Sequence, residues 1–293
     1  MANSMQDKVC LITGSASGMG KIAARELARM GATLILVDKE IEQGKSARDE
    51  IAEISGNVRL EFVGCDVSSF AEVRRLAEHV TANYPQLHVL INNAGLTDPE
   101  YLLSADGHEN HMATMHLGHF LLTDLLLDKL KHSSPARIIQ ISSDAHKAGK
   151  GIDFDDLLCE KIWKGKRYSN NGAFVAYHRA KLAMVCITFE LARRLEGTGV
   201  TINAVSPGYF VRTNVYRHVR GIFKLGVWLM RPFMTDPERA AKTYIFLASA
   251  PEVEGISGKY WEYCKEKATS PMSQDELLQQ RVWDYTQQAT GGA

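Results

Sequence analysis

Val9-Cys10-Leu11-Ile12-Thr13-Gly14-Ser15-Ala16-Ser17-Gly18-Met19-Gly20 decides how the first half of this chain folds. The apolar run Val9–Ile12 reads as a buried strand, and a helical pattern follows over Lys21–Met30. Gly14, Gly18 and Gly20 supply a tight turn, close backbone approach to a diphosphate, and close packing of helix on strand. A strand, a glycine turn and a helix N-terminus together form an anion cradle, because unsatisfied N–H groups and the positive end of the helix dipole meet there. Gly14, Ser17, Gly18, Met19 and Gly20 are therefore candidate cofactor contacts. The same spacing also occurs in plain strand-to-helix turns, so the residues that accompany it carry the argument.

Asp38 ends the second apolar run, where a carboxylate can accept hydrogen bonds from an adenosine ribose. Its charge would repel a 2′-phosphate, so NAD is expected over NADP, although Lys21 and Lys39 lie near enough to soften that choice. Asp66-Val67 follows the third run and is placed to meet an adenine edge. Asn92-Asn93-Ala94-Gly95 follows the fourth. There Asn93 can tie neighbouring strands through side-chain-to-backbone bonds, while Ala94 and Gly95 leave room for the cofactor.

The pattern extends along the chain. Val9–Ile12, Thr33–Val37, Leu60–Val63, Val89–Ile91, Arg137–Ile141 and Val200–Val205 read as strands, with a seventh near Gly258–Trp261. Amphipathic stretches over Lys21–Met30, Glu40–Ile54, Phe70–Asn83, Gly107–Leu130 and Ala176–Leu195 read as helices between them. Strands alternating with helices predict an α/β fold, a doubly wound parallel sheet with helices on both faces. One domain is expected over residues 1–268, with a mobile polar tail over 269–293. Lys147–Phe174 interrupts the alternation as a long insertion, and 209–237 as an apolar, basic lid.

Bulk properties exclude several functions. The 293 residues carry 34 Lys plus Arg and 34 Asp plus Glu, so no global field recruits nucleic acid. The five cysteines are scattered, without CxxC or Cys/His ligand spacing, which predicts neither a disulfide frame nor a metal site. No run reaches the roughly 18 apolar residues of a membrane span. The short polar segment before the first strand predicts neither a signal peptide nor an N-terminal anchor, and a cytoplasmic protein is expected.

Chemistry enters at Tyr177-His178-Arg179-Ala180-Lys181. A phenol and an ammonium four residues apart share one helix face. A free tyrosine has a pKa of ~10, and bringing it to ~7 takes roughly 4 kcal/mol. Two close positive charges in a water-poor cleft can supply that. Tyr177 can then take a proton from an alcohol or return it to a carbonyl. Ser142-Ser143 ends the fifth strand, where a hydroxyl can hold the substrate oxygen. Ser143 is the preferred candidate and Ser142 the fallback.

The set TG-x3-G-x-G, NNAG, SS, YxxxK and Ser206-Pro207-Gly208 resembles the short-chain dehydrogenase/reductase family over about 250 residues. Three stretches resemble its retinol-dehydrogenase-type, hydroxysteroid-dehydrogenase-like branch: His116–Thr123, Ile152–Leu157 and Glu190–Gly199. The resemblance implies Tyr177 as acid/base, Lys181 as holder of the ribose hydroxyls and modulator of the phenol, and Ser143 as anchor of the substrate oxygen. It also implies that Pro207, Gly208 and Thr213 contact the nicotinamide amide, and a homodimer or homotetramer formed through 107–130 and 176–195. Two departures stand out. The family usually has an asparagine just before the His-Leu-Gly-His segment, where it holds a water linking the lysine to solvent. This chain has Met115 there, whose thioether donates nothing and accepts weakly. One residue more than usual also separates Pro207-Gly208 from Thr213.

The apolar lid, with Tyr209 and Phe210 as candidate substrate contacts, suggests a hydrophobic alcohol or ketone such as a steroid or retinoid. Basic and aromatic residues interleave over 216–234, a pattern that can also rest on a membrane surface. The expected reaction is NAD-dependent alcohol oxidation. The alternatives are a carbonyl reductase on hydrophobic ketones and aldehydes, and a dinucleotide-binding regulator impaired at Met115.

Overall fold

Seven strands run parallel in the order β3-β2-β1-β4-β5-β6-β7, and an antiparallel β8 closes the edge. They are β1 (Val9–Thr13), β2 (Thr33–Asp38), β3 (Leu60–Gly64), β4 (Val89–Asn92), β5 (Ala136–Ile141), β6 (Val200–Ser206), β7 (Lys259–Glu262) and β8 (Lys265–Glu266). The structure, a computed structural model, describes residues 4–208, 211–212, 228 and 234–291. The strand order reverses between β1 and β4, and a crevice opens beyond the carboxyl ends of strands at such a point.

Both faces of the sheet are covered, which explains why its strands are continuously apolar. Leu11, Ile35, Val37, Leu90, Ile138 and Ile202 pack beneath the helices of residues 70–83, 110–125 and 170–194. Cys10, Ile12, Leu34, Leu36, Ile91 and Val205 face the other way, toward Gly18–Arg29 and Pro237–Ser249. The expected strands are all present, with ends shifted by a residue or so, and Phe70–Asn83 is helical as expected.

Four expectations differ. The stretch 107–130 is not one helix: Asn110–Met112 leads into a π turn, Ala113–Leu117, then Gly118–Leu125 and a separate Leu127–His132. Gly118 lies so close to the Val67 carbonyl that a Cβ there would collide with it. The helix expected from Ala176 begins at Asn170, where the Ser169 hydroxyl accepts from Gly172 N–H at 2.9 Å. The insertion over 147–174 holds a short helix, Glu160–Trp163, and Glu100 pairs with Tyr168 across an antiparallel bridge.

The expected mobile tail is the largest correction. Glu276–Thr290 is a helix capped by Asp275, and its Val282, Thr286 and Thr290 are buried. Trp283 stacks under the Arg194 guanidinium at 3.9 Å and meets Phe120 edge-on at 5.3 Å. Thr286 donates to the Val282 carbonyl, so its oxygen accepts from His116 Nε2 at 2.7 Å. The apolar residues are spaced to seat one face, a pattern obscured by the many polar residues between them. This helix packs against helices 110–125 and 170–194.

His116 and His119 are both buried, and burial lowers each to about 3. The folded chain thus binds fewer protons than the unfolded one between about pH 6.5 and 3, so stability must fall as pH drops through that window. Urea midpoints at pH 7 and 4.5 should therefore diverge. His116→Gln, which can still reach Thr286, should shrink the difference by about 1–2 kcal/mol.

Candidate active site

A cleft of about 330 Å³ opens at the carboxyl ends of the strands. Its walls bring together Gly14, Ser17, Gly18, Met19, Gly20, Asp38, Asp66, Val67, Asn93, Ala94, Gly95, Ser143, Tyr177, Lys181, Pro207 and Gly208, all singled out from sequence. Tyr209, Phe210 and Thr213 lie outside the described residues, as does nearly all of 216–234.

At the glycine turn, Gly14 and Gly18 have φ of +68° and +56°, the left-handed region that favours glycine. A Cβ on Gly20 would collide with the Gly14 carbonyl oxygen, so the helix can leave the turn this tightly only without one. Ser17 stands at the N-cap of Gly18–Arg29, yet its side chain makes no capping bond. The first-turn N–H groups thus open toward the cleft unclaimed by their own cap.

The floor is clasped by Thr13. Its hydroxyl accepts from Asn93 N–H at 2.9 Å and Ala94 N–H at 3.0 Å, and meets His119 Nε2 at 2.9 Å. The other nitrogen of His119 meets the Met115 carbonyl at 3.2 Å and must donate to it, so Nε2 accepts from Thr13. Asn93 returns across the switch point, its amide donating to the Thr13 and Gly14 carbonyls at 2.8 and 3.1 Å. At the far end, Asp38 accepts from Ala16 N–H at 3.0 Å and Glu40 N–H at 3.1 Å, one bond on each oxygen. The two nearby cations face other carboxylates: Lys21 lies 2.6 Å from Glu50, and Lys39, which also lines the cleft, is 3.8 Å from Asp66.

The other wall separates the two serines. Ser142 is buried and donates its hydroxyl to the Lys181 carbonyl at 3.2 Å. Ser143 is half-buried, and its oxygen accepts from Ala145 N–H at 3.2 Å, which leaves its O–H free to donate. Lys181 is buried, with Nζ 5.6 Å from the Tyr177 ring centroid. Its ammonium donates to the Ile141 carbonyl at 2.5 Å and lies 3.6 Å from Met184 Sδ. Burial pushes this lysine down to about 7. Met115 is fully buried within the π turn, its Sδ 3.5 Å from where a Cβ on Gly95 would stand.

Sequence reasoning missed Thr97, Asp98, Asn110 and Thr114, which also line the cleft. It missed the clasp role of Thr13 and His119 as well. A polar residue recurring at buried positions of an otherwise apolar helix, as His119 does in 118–125, was the available signal.

Residues 8–151 match the short chain dehydrogenase family. The chain is 40% identical to Retinol dehydrogenase 14 of Homo sapiens, over 98% of this chain and 87% of that protein. It is 42% identical to Retinol dehydrogenase 12 of Bos taurus, over 97% and 86%. Among solved structures, an uncharacterised protein from Mycobacterium paratuberculosis superposes with a TM-score of 0.77 at 30% identity, covering 99% of this chain and 96% of that one. The chain therefore belongs to the short-chain dehydrogenase family, in its retinol-dehydrogenase-like branch, and is an oxidoreductase of the kind that uses nicotinamide dinucleotides. Among the described residues, no helix is long and apolar enough to cross a membrane.

A buried lysine held down to about 7 binds fewer protons than its unfolded counterpart, at 10.5, throughout the interval between them. Stability from this group must rise with pH across that interval. Lys181→Met should abolish the rise: from about pH 7 to 9 the native chain should gain about 2 kcal/mol relative to the variant in denaturant titrations.

Proposed function

We propose that this protein is an NAD-dependent dehydrogenase that oxidises a hydroxyl on a hydrophobic, steroid- or retinoid-like alcohol, with Tyr177 as acid/base. The observation that carries this reading is the convergence of Ser143, Tyr177 and Lys181 on the same cleft as the glycine turn. The names of the curated relatives favour a retinoid-like alcohol.

The residues present suit a nicotinamide dinucleotide. The uncapped N–H groups after Ser17 suit a diphosphate. Each Asp38 oxygen has one backbone donor and keeps a lone pair for a ribose hydroxyl. The Asp38 carboxylate would repel a 2′-phosphate, and the nearby Lys21 and Lys39 face Glu50 and Asp66, which favours NAD. When bound, the dinucleotide accepts the hydride from the alcohol carbon.

The chain's own residues do the rest. Tyr177 Oη takes the hydroxyl proton as the carbonyl forms. Ser143 donates to the same oxygen, its own oxygen being occupied by Ala145 N–H. Lys181 keeps donor capacity beyond Ile141 and Met184 to hold ribose hydroxyls, and its charge favours the phenolate. Asp66, Val67, Asn93, Ala94 and Gly95 shape the adenosine and central part of the groove, and Pro207 and Gly208 its nicotinamide end.

The buried Met115 favours a second reading, a dinucleotide binder with little turnover. Absorbance at the reduced-nicotinamide band, with NAD or NADP and a panel of hydrophobic alcohols and ketones, separates the two. Turnover should favour NAD, and Tyr177→Phe should lower it by about 10²–10⁴-fold while cofactor binding persists. Binding without turnover in the native chain would instead establish the second reading. Met115→Asn should raise turnover severalfold with little change in cofactor affinity, and an unchanged rate would show that position 115 does not limit proton release.

A further inference from the structure

We propose that His146 is a positioning residue for Ser143, held in its working tautomer by the N–H of Ser270. The inference rests on the reading of Ser143 as the substrate-oxygen anchor.

His146 lies three residues beyond Ser143 and is fully buried, its ring 4.8 Å from that of Tyr260. The Ser143 carbonyl receives two bonds from His146, from the backbone N–H at 3.0 Å and from Nδ1 at 2.7 Å. Nε2 meets Ser270 N–H at 3.3 Å. A backbone N–H only donates, so Nε2 accepts and the imidazole proton sits on Nδ1, where it donates to Ser143. The C-terminal segment therefore selects the tautomer that grips the serine.

A second chain of contacts joins the same segment to the other side of the cleft. Asp144, next to Ser143, takes Lys267 at 2.8 Å, Lys147 at 3.1 Å and Tyr260 Oη at 3.2 Å. Lys267 also pairs with Glu262. Glu262 accepts from Ser206 at 3.2 Å, and Ser206 accepts from Gly208 N–H at 3.2 Å. Residues 260–270 thus brace both the Ser143 turn and the Pro207-Gly208 turn, so the serine has a fixed wall to work against.

Three substitutions separate the two bonds of His146. His146→Asn keeps an amide N–H near Nδ1, His146→Gln places its amide near Nε2, and His146→Phe keeps only the ring. His146→Phe should lower kcat about 10–100-fold with KM for NAD within about threefold. Asn should recover most of that rate and Gln should not. In a Ser143→Ala background, His146→Phe should cost less than about twofold, because its effect runs through the serine. Recovery by Gln as full as by Asn, or an undiminished loss on top of Ser143→Ala, would overturn the proposal. The imidazole ¹⁵N spectrum of the native chain gives a readout independent of turnover. It should show Nδ1 protonated and Nε2 bare, and the opposite tautomer would also overturn it. A native chain that turns over no alcohol or ketone sinks the dehydrogenase reading instead, and the imidazole spectrum then decides the brace alone.

Discussion

The clasp between Thr13 and the Asn93-Ala94 backbone is the contact on which the cleft depends. It sits where the strand order reverses, the one place in a parallel sheet where adjacent connections leave in opposite directions. One hydroxyl accepts two N–H groups and donates to His119, and Asn93 answers with bonds to two carbonyls of the facing turn. Seven polar groups at the cleft floor satisfy one another there. The two halves of the cleft floor are thereby held at a fixed separation.

From that floor the two walls follow different physics. The wall at the glycine turn is mostly backbone, with glycines in the left-handed region and an uncapped helix end, and the Asp38 carboxylate stands at its far end. The wall carrying Tyr177 and Lys181 is a buried side-chain seam, in which helix 170–194 is stitched to the end of β5 by Lys181 on the Ile141 carbonyl and Ser142 on the Lys181 carbonyl. Burying an ammonium there costs stability, and that cost keeps its charge labile near neutrality. The lysine beside the Tyr177 ring is thus one the fold would rather see neutral.

Much of this was legible in the linear chain, for reasons that differ by residue. Short-range rules placed the glycine turn and Asp38, because the geometry they serve is local. Tyr177 and Lys181 were legible because a helix converts a spacing of four into adjacency. Ser143 was separable from Ser142 only in part, since the choice depends on which hydroxyl is consumed by a carbonyl from a distant helix. The C-terminal helix escaped because its stability lies in Trp283, Thr286 and Val282 fitting a surface made by helices far away in sequence. By composition alone it reads as polar.

The sequence by itself determined the alternation of strand and helix, the glycine turn and the placing of Tyr177 and Lys181 on one helix face, because each is set by neighbours within a turn or two. The tertiary structure alone decided which serine keeps a free hydroxyl, how far Lys181 is desolvated and that Met115 is sealed into the cleft wall. It also showed that residues 260–270 reach back to the turn carrying Ser143. These depend on hydrogen-bond partners and burial contributed by segments distant in sequence, and no local pattern encodes who those partners will be.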